Sequence, residues 1–101
     1  SFSYQETRDK HYATRQAADG GRHLAIFVRD GRLKLKDLDS KNGSIVERDR
    51  SAGMRVLVMP GRNDRLRRDA LASGEGVRVV SEVDACLGDI IRLGGSWFRL
   101  V

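Results

Sequence analysis

The chain has 101 residues, 40% hydrophobic and 33% charged, which is one domain's worth of sequence with room for a modest core. Nineteen Lys and Arg against fourteen Asp and Glu leave a net charge of +5, favouring anionic partners: phosphoproteins, nucleic acid or acidic lipid. No apolar run is long enough for a membrane-spanning helix, and the single cysteine, Cys86, excludes an internal disulfide and points to a reducing, intracellular setting, cytoplasmic or nuclear.

The chain begins Ser1-Phe2 without an initiator methionine and reads as a segment of a longer protein. Residues 23–28, His-Leu-Ala-Ile-Phe-Val, form the first clear strand candidate, and Asp30-Gly31 is a hairpin turn signal. Leu33 and Leu35, alternating with Lys34 and Lys36, supply the returning strand over 32–38. Residues 54–59 are another β-prone run, closed by Pro60-Gly61. Residues 64–73 break the β pattern: Asp64 is placed to cap, Leu66 and Ala70 share a face, and Gly74 is a stop, so a short surface helix is expected. Its arginines read as a solvated face. Residues 77–83 read as one β-branched strand, and residues 90–93 and 97–101 as a last pair around Gly94-Gly95. Phe27, Trp97 and Phe98 are read as core or near-core residues, and Cys86 as a small packing residue. Several short strands with turn signals between them predict a single all-β domain over 1–101, a sandwich or barrel.

The chemistry is concentrated in Asp37-Leu38-Asp39-Ser40-Lys41-Asn42-Gly43-Ser44. A strand end here runs into a tight polar loop, with Asn42-Gly43 favouring positive φ. Ser40, Lys41 and Asn42 are expected to present a hydroxyl, an ammonium and an amide, a set suited to an anion plus a peptide backbone. Taken alone, the run fits an ordinary hairpin turn equally well.

Three motifs in order carry a resemblance. The run 37–44 resembles the Asp-Leu-x-Ser-x-Asn-Gly-Thr motif of forkhead-associated (FHA) domains, with Ser44 for the threonine. His23-Leu24-Ala25-Ile26 resembles the strand opening at that family's Ser-Arg-x-His element. Leu87-Gly88-Asp89-Ile90-Ile91-Arg92-Leu93-Gly94 resembles its Gly-Asp-x-Ile-x-Leu-Gly signature. The resemblance implies an FHA-type sandwich of about eleven strands that binds phosphothreonine peptides through loops at one end. It implies phosphate binding by Arg8, although Thr7 stands in place of the usual glycine, and by Ser40 and Lys41, with Asn42 holding the peptide backbone. It assigns His23, Asp37 and Gly43 to support of the binding loops. Two departures stand out. Gly20-Gly21-Arg22-His23 occupies the place of Ser-Arg-x-His, so the serine hydroxyl is missing. Either the glycines open the loop so that backbone N–H groups and Arg22 meet the phosphate, or phosphate recognition has been lost. The interval within about 48–85 is also longer than the family's, and the helix with one strand is expected to form an insertion on the sandwich.

The expected function is therefore a protein-interaction module for phosphothreonine-containing partners. The alternative is a phospho-independent scaffold domain, and the lesser alternative nucleic-acid binding through a basic surface, for which aromatic platforms in a basic groove are wanting. No Ser–His–Asp arrangement, phosphate-cradling loop or metal-ligand spacing is readable, so no enzymatic activity, metal or cofactor is expected.

Overall fold

The chain turns back on itself at Asp30-Gly31, where both residues take positive φ (53° and 75°), as a tight hairpin between right-twisted strands requires. The computed structural model describes residues 2–7, 10–16, 22–50 and 53–101, with side chains described for 23–49 and 53–101. In chain order the elements are β1 (Phe2–Thr7), β2 (Lys10–Gln16), β3 (Arg22–Arg29), β4 (Arg32–Asp37), β5 (Ser44–Arg50), β6 (Gly53–Met59), α1 (Asp64–Ala72), β7 (Val77–Val79), β8 (Val83–Asp84), β9 (Ile90–Leu93) and β10 (Ser96–Arg99).

These strands form two sheets. Strands β3, β4 and β8 make one, which the β1–β2 hairpin extends to the order β1-β2-β3-β4-β8. The other is β10-β9-β5-β6-β7. The described residues thus hold ten strands and one short helix in a sandwich-like arrangement. Both hairpins expected from the turn signals are present: β3 pairs antiparallel with β4, and β9 with β10.

The core lies between the sheets. Strand alternation sends Leu24 of β3, Leu35 of β4, Val46 of β5, Met59 of β6, Val83 of β8 and Ile91 and Leu93 of β9 inward, where all are buried. Strand β5 shows how the layer is closed. Its inward residues are Ser44, Val46 and Arg48: the first meets a carboxylate at one end, the second fills the core, and the third meets a carboxylate at the other. Arg48 donates from Nε and Nη2 to Asp89 at 2.9 and 2.7 Å, and from Nη2 to the carbonyl of Asp84 in β8, tying the two sheets together. The pairing with Asp89 raises the Arg48 pKa further, against the cost of burial.

Four expectations are corrected. The run 77–83 is two strands: β7 pairs parallel with β6, and the chain then crosses at Val80–Glu82 to pair β8 with β4 in the other sheet. A β-branched run carries no mark of where it changes sheet. Residues 53–84 therefore supply β6, β7 and β8 to both sheets, and the excursion outside them is the segment carrying α1. The helix forms where expected, but its cap is Asn63, whose Oδ1 accepts from the Leu66 amide at 3.0 Å; Asp64 lies in the first turn. The helix lies against β7 and β6 with Ala70 buried, whereas Arg65 and Arg68 are exposed. Finally, Trp97 is 60% exposed, because β10 is a sheet edge and this side chain faces outward. Phe27 is buried with the Arg29 guanidinium 5.0 Å above its ring, and Phe98 is half-buried against the core. Cys86 is half-buried and unbridged.

Candidate functional site

The connection from β4 to β5 leaves one sheet and enters the other, and its shape comes from a buried carboxylate. Asp37 ends β4 on the core side, 8% exposed. Its Oδ2 accepts from the Ser40 amide at 2.8 Å, and its Oδ1 accepts the hydroxyls of Ser40 at 2.7 Å and Ser44 at 2.5 Å. A carboxylate has the lone pairs for three such bonds, and charge-assisted bonds of this kind are the strong ones. The Ser40 oxygen in turn accepts from the Gly43 amide at 2.9 Å. The carbonyl of Gly43 lies 2.8 Å from Nε2 of His23, itself buried. A carbonyl can only accept, so Nε2 carries the proton. That same nitrogen lies 3.7 Å from Asp37 Oδ1.

Two glycines fix how closely the neighbouring turn approaches. A Cβ on Gly43 (φ 77°) would fall 2.7 Å from Leu66 Cδ2 and 2.8 Å from the Pro60 carbonyl. One on Gly61 (φ 57°) would fall 2.6 Å from Asp37 Oδ2 and closer still to the Ser40 carbonyl. Side chains cannot fit at either place, and the backbones pack directly. The Pro60–Asn63 turn is then laced to the loop. The Arg62 amide donates to Ser40 O at 2.8 Å, Arg62 Nε to Asp39 O at 2.9 Å, and Asn63 Nδ2 to Asn42 O at 3.2 Å.

What this scaffold leaves outside is small and polar. Lys41 and Asn42 are exposed at the loop tip, with the Asn42 amide beside the Gly94–Gly95 turn of β9–β10. Arg62 is exposed, and among the described residues its two Nη nitrogens have no hydrogen-bond partner. One end of the sandwich therefore presents an ammonium, a carboxamide and a guanidinium from a backbone that its own buried groups hold rigid. Such a set can take an anion and align a peptide chain.

The residues singled out from sequence separate clearly. His23, Asp37 and Gly43 come together as internal supports. Ser40 joins them, which corrects the expectation that it presents its hydroxyl: the residue is 4% exposed, and its hydroxyl donates to Asp37 and accepts from the Gly43 amide. Lys41 and Asn42 stand at the surface. Arg8, Gly20 and Gly21 lie outside the described residues, and Arg22 opens β3 with its side chain outside them. Sequence reasoning missed Arg62. The signal available for it was the Pro60-Gly61 turn, which returns the chain to the same end of the sandwich. Among the described residues no group of His, Cys, Asp and Glu is arranged to hold a metal ion, and no buried side-chain polar atom lacks a partner. Comparison with protein-family models, curated proteins and solved structures gives no match.

Proposed function

We propose that this domain is a protein-interaction module of FHA type that docks a phosphothreonine-containing segment of its partner on the loop tip Lys41–Asn42. The observation that carries this reading is the buried Asp37–Ser40–Ser44–His23 network, which spends four polar side chains on fixing one loop and leaves its tip exposed. The loop is not the ordinary hairpin turn that its sequence alone also fitted, since it carries the chain from one sheet to the other. Lys41 and Arg62 meet the phosphate, Asn42 bonds the peptide backbone, and Arg8 and Arg22 are the further cations that the resemblance brings to the same ligand. Preorganisation of this kind lowers the ordering cost of binding.

The phospho-independent scaffold is retained as the second reading on a specific observation. Ser40 is committed internally and Gly20-Gly21 stands where a phosphate-binding serine is usual, so two hydroxyls are withdrawn from the anion. A screen of an immobilised phosphothreonine peptide library beside its unphosphorylated counterpart separates the two. Selective capture of phosphorylated sequences supports the first reading, and capture indifferent to phosphate supports the second.

A further inference from the structure

We infer that the groove between β4 and α1 is a second contact surface for the same ligand and takes an acidic, extended peptide segment flanking the docked residue. The groove, about 620 Å³, opens where the chain leaves β7 for β8 and passes from one sheet to the other. Its floor is aliphatic, from Met59, Pro60, Val79 and Val80, and its rim carries Lys36 and Arg67. Both cations are exposed, and neither forms an ion pair with a described residue. The other strand cations around β4 are matched: Arg29 with Glu82, and Arg32 and Lys34 with Asp84.

The reason Lys36 is left over is topological. The β4–β8 ladder runs Lys34↔Asp84 and Leu35↔Val83, so its continuation would set Glu82 opposite Lys36. Instead β8 stops there, and Glu82 takes Arg29 with both oxygens at 2.9 and 3.1 Å. Asp37 in the groove wall is buried with its oxygens occupied, which leaves Asp39 as the single exposed carboxylate of the rim. Two unmatched cations above an aliphatic floor favour an acidic peptide; a nucleic acid would want stacking surfaces that this floor lacks. The groove shares the segment 37–39 and Gly61 with the Lys41–Asn42 loop, so one extended ligand can reach both. The inference rests on the reading that a peptide docks at that loop.

The test uses four fluorescent peptides of one sequence: threonine or phosphothreonine, each with Glu/Asp or with Gln/Ser on both flanks. Against the wild-type chain, acidic flanks should tighten binding about two- to tenfold with or without phosphate, and more weakly as salt rises. The Lys36→Glu/Arg67→Glu variant should abolish that gain, and Lys36→Gln/Arg67→Gln should abolish it where the reversed pair lowers the melting temperature. Lys41→Ala, at an exposed residue assigned to the phosphate, should reduce the phosphate-dependent gain and leave the acidic gain, so the failure of either reading shows separately. No gain from acidic flanks, a gain that survives both double variants, or tighter binding of a single-stranded oligonucleotide of equal charge would overturn the inference.

Discussion

The Nε2 nitrogen of His23 lies 2.8 Å from the carbonyl oxygen of Gly43, twenty residues further along the chain. Through that bond the start of β3 holds the end of the loop that leaves β4, and the histidine proton is committed to structure. His23→Ala leaves a buried carbonyl unpaired and should cost about 1–3 kcal/mol. Urea unfolding should show a lower midpoint with the cooperative transition retained. Faster amide exchange at Gly43 and Ser44 should accompany it; an unchanged midpoint and unchanged exchange would remove His23 from the support.

Gly61 separates close packing from mere turn geometry. Gly61→Ala places a methyl against Asp37 Oδ2 and Ser40 O at φ 57°, whereas Gly31→Ala at φ 75° meets open space. Both pay about 1–2 kcal/mol for a left-handed alanine. Gly61→Ala should lose about 1–3 kcal/mol more, the usual cost of overpacking. Equal melting temperatures for the two variants would contradict the direct packing of turn on loop.

The helix cap gives a local test. Asn63→Ala loses the bond to the Leu66 amide and the bond to Asn42 O, and should cost about 0.5–2 kcal/mol. Asp64→Ala keeps both and loses a favourable helix-dipole contact of about 0.3–1 kcal/mol. Thermal unfolding followed by circular dichroism should rank Asn63→Ala as the more damaging, and the reverse ranking would reassign the cap.

Much of the fold was legible because turns announce themselves: Asp30-Gly31 and Gly94-Gly95 sit between alternating runs, and both hairpins followed. The crossing from β7 to β8 was not legible, since Val77, Val79 and Val83 have the same preference in either sheet. For the site, residue type identified the loop but not the direction of each group. Asp37 and Ser40, three apart, carry a recognisable carboxylate-to-backbone signal, yet a serine hydroxyl reads alike whether it faces a ligand or its own chain. Trp97 was misplaced because alternation gives two faces and does not say which one is covered. The cap was read one residue late, at Asp64, because Asp and Asn serve equally well there and composition does not set the register.

The pH dependence follows from Asp84. Its half-exposed carboxyl is held below the usual aspartate range, first by the hydrogen bond from Lys34 and further by Arg32. A folded pKa below the unfolded one contributes stability that is full above the ordinary aspartate value of about 4 and fades as pH falls through the lower folded value. Urea midpoints measured from about pH 6 downward should therefore decline on the acid side, and Asp84→Asn should flatten the part of that decline below about pH 4. An identical acid limb in the variant would show that the carboxylate contributes no such linkage.

Under the proposed function, the braced Lys41–Asn42 tip reads a phosphorylated peptide. Calorimetric titration of matched phosphothreonine and threonine peptides, taken from the strongest library sequence, tests it most directly. Wild type should prefer the phosphorylated form. Arg8→Ala should weaken it by about 1.5–3 kcal/mol, as loss of charged hydrogen bonds does, and Asn42→Ala by about 0.5–1.5 kcal/mol through lost backbone contacts. Both variants should keep the wild-type melting temperature to within a few degrees. Equal affinity for the two peptides, unchanged by either substitution, would contradict the account and leave the domain a phospho-independent scaffold.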